Sequence, residues 1–95
     1  MSNLKDLKLP WQIVTEANGV KKLSHEFTFP NFPEAVAFVN RIMPVAEQEG
    51  HHPDLYIFYN RVRAELYTHS IGGLSENDFI MAAKIEVAYN QHDQK

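Results

Sequence analysis

The chain predicts an α+β fold: a four-stranded antiparallel sheet of two hairpins with α-helices packed on one face, in the order β-β-α-β-β-α. Three observations carry that reading. Apolar residues alternate with period two in residues 20–29 and recur at three- and four-residue spacing in two later stretches. Turn and breaker residues separate the segments: Asn18-Gly19, Pro30-Asn31-Phe32-Pro33, Gly50 to Pro53, and Gly72-Gly73.

In order, residues 1–10 are a polar lead-in with a few leucines, ending at Pro10. Residues 11–15 (WQIVT) make a short strand, and Asn18-Gly19 signals a hairpin turn. In the next strand Leu23, His25, Phe27 and Phe29 share one face, and Lys22, Ser24, Glu26 and Thr28 the other. A helix then starts with Asn31 or Phe32 near its N-cap and Pro33 in its first turn, and runs to about Glu49. Its stripe is Ala35, Phe38, Val39, Ile42, Met43 and Ala46, and Pro44 inside it should kink the axis. Residues 55–59 (LYIFY) and 62–68 (VRAELYT) form the second hairpin about Asn60-Arg61. Ser75 caps the last helix with Asp78 at its third position, a capping-box-like arrangement. That helix is expected to bury Phe79, Ala82, Ala83, Ile85 and Val87, with a polar tail over 90–95.

The 95 residues suit a single domain spanning 1–95, since no repeat, low-complexity tract or linker divides them. Nine Lys and Arg against twelve Asp and Glu give a net charge of −3, with the basic residues scattered, so direct nucleic-acid binding is not expected. The absence of cysteine removes disulfides, a thiol nucleophile and thiolate metal sites. No signal pattern or membrane-length apolar run is present, so a cytoplasmic location and no membrane partner are expected.

Chemistry concentrates at His51-His52. Gly50 suits the position just past a helix C-terminus, and Pro53 keeps its predecessor out of the helix. Both histidines therefore sit on a short rigid connection, pointing in different directions. His69 ends the fourth strand. Spacing suggests Glu47 beside His51 and Asp78 beside His69, each carboxylate orienting an imidazole and fixing its tautomer. With no thiol and no GxSxG motif, proton transfer is favoured over covalent catalysis. Taken singly, each residue also has a plain reading. A His-His-Pro loop suits solvent, Asp78 suits a helix N-terminus, Glu47 suits a solvated helix face, and His25 suits a structural place on the apolar stripe. Zinc is the competing site chemistry, but adjacent histidines rarely reach one ion, and no HExxH pattern supports it; no metal and no cofactor are expected.

The spaced set Glu47-x3-His51-His52-Pro53-x5-Tyr59-x9-His69-x8-Asp78 resembles the signature of the pterin-4a-carbinolamine dehydratases. Trp11, Phe27-x-Phe29, Ala35-x-x-Phe38, Thr68-His69 and Gly73-Leu74-Ser75 extend the resemblance over roughly 11–85. Two departures are a short N-terminal lead-in and Gly50 where larger polar residues often stand.

The resemblance implies dehydration of 4a-hydroxytetrahydrobiopterin to the quinonoid dihydropterin, recycling the cofactor of aromatic amino acid hydroxylases. His51 and His69 would be the acid/base groups, with His52 positioning the ring and Glu47 and Asp78 orienting His51 and His69. Gly50 and backbone groups across Tyr67, Thr68, His69 and Ser70 would contact the pterin's polar edge. The resemblance also implies a homo-oligomer, dimer or tetramer, and exposed Tyr56, Phe58 and Tyr67 hint at covered surface. Its second functional class is a non-catalytic dimerisation or assembly module, as in a transcription-factor dimerisation cofactor or a RubisCO assembly factor.

Overall fold

The computed structural model describes residues 7–90; expectations for the first six residues and for 91–95 lie outside them. The strands are β1 (Gln12–Thr15), β2 (Lys21–Thr28), β3 (Asp54–Phe58) and β4 (Arg61–Leu66), and the helices α1 (Phe32–Glu49) and α2 (Glu76–Asn90). All strand pairs are antiparallel, in the order β1-β2-β4-β3. The expected α+β class and element order are therefore observed. Among the described residues no helix is long and apolar enough to cross a membrane.

The period-two pattern decides which face of the sheet meets the helices. Leu23, Phe27, Val62, Ala64 and Leu66 point inward and are buried with Ala35, Phe38, Ile42 and Ala46 of α1 and Met81, Ala82, Ile85 and Ala88 of α2. Phe27, Phe38 and Tyr89 stack around the centre, with ring centroids 4.9–5.8 Å apart. Asn31 caps α1, its Oδ1 accepting the Glu34 N–H at 3.0 Å. The helix continues through Pro44 to Glu49.

Local details differ from the sequence reading for identifiable reasons. The first hairpin turns through Ala17-Asn18-Gly19, with Glu16 N–H bonded to the Val20 carbonyl at 2.8 Å and Gly19 at φ +89°. Asn-Gly thus marks a three-residue loop with a left-handed glycine. The second hairpin turns at Tyr59-Asn60, because Phe58 pairs with Arg61. Asn60 is held there by Phe29, whose N–H reaches its carbonyl at 2.8 Å and whose carbonyl accepts its amide at 3.0 Å. In α2 the buried set is Asp78, Met81, Ala82, Ile85, Glu86 and Ala88, while Ala83 and Val87 face solvent. Met43 of α1 is likewise exposed.

Glu86 is buried because its carboxylate organises the lead-in. Oε1 accepts the Lys8 N–H at 3.0 Å, and Oε2 accepts the Leu9 N–H at 2.8 Å and the Trp11 indole N–H at 2.9 Å. These bonds fix the segment entering β1 against α2. His25 keeps its structural place on the apolar face, between Trp11 and Phe27 (centroids 5.6 and 4.7 Å). Burial pushes its imidazole pKa below the usual histidine value, outweighing a bond to the Pro10 carbonyl and the nearby Glu86 and Glu26 charges.

Glu86→Ala orphans three donors and lowers the unfolding free energy by about 3 kcal/mol, measurable by urea denaturation. His25 is neutral when folded and more basic when unfolded, so its contribution is complete above pH ~6.5 and is lost as pH falls through the depressed folded value. Stability measured down that range declines in the wild type, and His25→Gln flattens the slope; equal slopes would contradict the assignment.

Candidate active site

Backbone geometry places the site before any side chain does. At the end of α1, Gly50 (φ +63°) donates to the Glu47 carbonyl at 3.3 Å and His51 N–H to the Ala46 carbonyl at 3.2 Å. This paired arrangement is a Schellman motif, so the peptide carrying His51 is fixed as it leaves the helix. Beyond β4, Thr68 bridges to Gly73, with Thr68 N–H bonded to the Gly73 carbonyl at 2.8 Å. His69–Ile71 form a 3₁₀ turn inside that bridge, closed by left-handed Gly72. The two connections meet around a cavity of about 310 Å³ lined by Gly50, His51, His52, Tyr67, Thr68, His69 and Ser70. Its volume is at the lower end of the usual small-molecule range, about 300–1,000 Å³.

Asp78 joins the pieces. Its side chain is fully buried. Oδ1 takes the His51 Nε2 bond at 2.6 Å, while Oδ2 accepts from Thr68 Oγ1 and the Ser75 backbone N–H, both at 2.9 Å. The Ser75 bond is one half of the capping box expected from the sequence. Because Thr68 spends its proton on Asp78, the Ser75 hydroxyl is the donor in their 2.7 Å contact.

The carboxylate–histidine pairing differs from the sequence expectation. Asp78 holds His51 rather than His69, and Glu47 Oε2 meets His52 Nε2 at 2.7 Å rather than His51. Neighbouring side chains at a strand end point to opposite sides. Thr68 faces Asp78, which turns His69 away from it. Glu47 and His52 both remain in solvent, with side chains 71% and 61% exposed. Thr68 lines the cavity, but its hydroxyl and N–H are already engaged.

His69 has a different partner. Tyr67 Oη lies 3.1 Å from His69 Nδ1, and the two rings are 4.3 Å apart between centroids. The i, i+2 spacing in a stretch that the sequence reads as strand is the signal that could have shown this contact. Lys22 stands 5.1 Å above the Tyr67 ring and lies 3.8 Å from Glu16 and 3.7 Å from Glu65. Burial opposes its charge, but Glu16, Glu65, Tyr56 and Asp54 together outweigh burial and raise the ammonium pKa above the usual lysine value. The other aromatics of this outer face also carry cations: Arg63 over Tyr56 at 4.6 Å and Arg61 over Phe58 at 5.6 Å.

Hydrogen-bond partners assign the tautomers. A carboxylate only accepts, so His51 and His52 carry a proton on Nε2, leaving Nδ1 for other partners. His69 is held at Nδ1, leaving Nε2. A larger hollow, about 420 Å³, opens beside Pro10, Gln12, Ser24, His25, Glu26 and Arg63. Size does not favour it, because His25 packs between Trp11 and Phe27, and Glu26 is paired with Arg61 at 3.1 Å. Among the described residues, no group of three His, Asp or Glu is arranged to hold a metal ion.

The family model for pterin 4 alpha carbinolamine dehydratase matches residues 2–88. The chain belongs to the pterin-4a-carbinolamine dehydratase family. A protein of Chlorobium limicola, provisionally named a pterin-4-alpha-carbinolamine dehydratase, is 54% identical over 74 residues, covering 78% of this chain and 65% of its own length. A protein of Nitrosomonas eutropha with the same provisional name is 46% identical over 84 residues, 88% of this chain and 70% of its own. The chain thus spans about two thirds of the length of these curated relatives. Among solved structures, a transcriptional coactivator/pterin dehydratase from Brucella melitensis superposes with a TM-score of 0.79 at 35% identity, covering 90% of this chain and 87% of that one. A pterin dehydratase-like RuBisCO assembly factor of the α-carboxysome shares the fold, with a TM-score of 0.72 at 18% identity over 86% and 92% of the two chains.

The two carboxylates should differ sharply on mutation. Asp78→Ala strands three buried or half-buried donors and destabilises the fold by about 2–3 kcal/mol. Glu47→Ala, at an exposed pair, changes stability by less than about 0.5 kcal/mol. Chemical denaturation of both variants checks the contrast.

Proposed function

We propose that this chain dehydrates a 4a-hydroxytetrahydropterin, with 4a-hydroxytetrahydrobiopterin the reference substrate, to the quinonoid dihydropterin and water. The observation that carries this reading is the convergence of His51, His52 and His69 on one cavity with different partners behind them. The reaction requires a proton for the departing hydroxyl and removal of a ring-nitrogen proton. With Nε2–H committed to Asp78, neutral His51 offers the Nδ1 lone pair and acts as base. His69 delivers the proton to the hydroxyl, and exposed His52, steadied by Glu47, positions the pterin ring. Glu47 and Asp78 are orienting groups for His52 and His51, respectively. Gly50 and the Tyr67–Ser70 stretch supply contacts to the ring's polar edge. Paired general acid and base groups contribute about 10²–10⁴ in rate, enough for a reaction that also proceeds unaided.

The chain acts, in this reading, as a homo-oligomer in the cytoplasm, regenerating the pterin used by an aromatic amino acid hydroxylase. The shared fold with an assembly factor supports a second, non-catalytic reading, which the three histidines in one cavity disfavour.

A spectroscopic assay decides between them, with carbinolamine generated in situ by a hydroxylase. Wild-type protein is expected to accelerate quinonoid formation, and His51→Ala and His69→Ala each to cut kcat by about 10²-fold. His52→Ala should act mainly by raising KM. A folded wild-type protein that gives no acceleration would overturn the enzymatic reading and favour the assembly role.

A further inference from the structure

We propose that the Tyr67 hydroxyl is a positioning group that holds His69 in one ring orientation and as its Nε2–H tautomer, so that Nε2 presents an N–H rather than a lone pair to the departing hydroxyl. The inference rests on the dehydratase reading and adds a residue to it. Tyr67 entered that reading only through its backbone.

Asp78 can only accept, so His51 must place its proton on the nitrogen facing the carboxylate and keep a lone pair elsewhere. A phenol carries one O–H and can donate it. When Tyr67 Oη donates to His69 Nδ1 across their 3.1 Å contact, the imidazole proton must sit on Nε2. Two neutral imidazoles on one cavity then show opposite characters, a lone pair on His51 and an N–H on His69.

Two features favour donation by the phenol over acceptance. The phenol oxygen shares its lone pairs with the ring, which weakens it as an acceptor and strengthens the O–H as a donor. The Lys22 ammonium, 5.1 Å over the same ring, draws electron density further in that direction. Lys22 is itself held by Glu16 and Glu65. The stacked rings, 4.3 Å between centroids, limit rotation of a histidine that is otherwise exposed.

Tyr67→Phe removes the hydroxyl and keeps the ring. Two readouts are needed: ¹⁵N–¹H correlation of the imidazoles at mildly alkaline pH, and steady-state dehydration kinetics. A neutral hydrogen bond changes a conformational or tautomeric preference by about fivefold. The wild type is expected to show His69 as the Nε2–H form, with a measurable loss of that preference in Tyr67→Phe. The variant's kcat should fall about fivefold, with KM unchanged to within about twofold. A wild-type His69 protonated on Nδ1 overturns the proposal, as do identical His69 ring shifts in the two proteins. A shifted tautomer with unchanged kcat overturns the positioning role. A wild type that locks the tautomer but accelerates no dehydration overturns the dehydratase reading, while the clamp between Tyr67 and His69 stands.

Discussion

A buried carboxylate governs how this molecule assembles its site. An unpaired charge cannot sit in the interior without a large desolvation penalty. Asp78 therefore requires the His51 imidazole, the Thr68 hydroxyl and the Ser75 amide together. Those donors come from the α1–β3 connection, the segment after β4 and the start of α2. Satisfying one side chain thus fixes three loops that have no regular structure in common. Glu86 does the same at the far end of α2, where it gathers the lead-in through two amides and an indole.

The site gains its asymmetry from the chemistry of the groups behind each ring. His51 leans on a buried carboxylate, His52 on a solvated one, and His69 on a phenol. In the proposed dehydration, acid and base roles follow from which partner can donate and which can only accept. The Schellman turn at Gly50 and the Thr68–Gly73 bridge fix the backbone that carries the rings, so a small scaffold can hold this arrangement.

Much of this was legible in the sequence, because it depends on local rules. Alternation from Leu23 to Phe29 gave the inward face, Gly50 and Pro53 gave the helix stop, and the Ser75-to-Asp78 spacing gave the cap. Spacing points to the three histidines, and the resemblance adds Gly50, Tyr67, Thr68 and Ser70 beside them. What stayed hidden depends on tertiary pairing. His51 and Asp78 are 27 positions apart, and nothing local ranks Asp78 as a partner for His51 over the nearer His69. Glu86 sits where a helix acid normally meets water, and only the folded lead-in explains its burial. Ala83 and Val87 looked like core by composition, yet the register set by Asp78, Met81 and Ile85 turns them outward.

If the cavity between the α1–β3 connection and the turn after β4 takes a pterin against His51 and His69, a crystal structure with a stable, non-reacting reduced pterin shows it there. The expected result is its ring in the cavity lined by Gly50, His51, His52 and His69, with His51 Nδ1 and His69 Nε2 as the nitrogens that contact it. A pterin seated instead in the larger hollow beside His25 and Arg63, or excluded from saturated crystals in which that cavity is open, would contradict it.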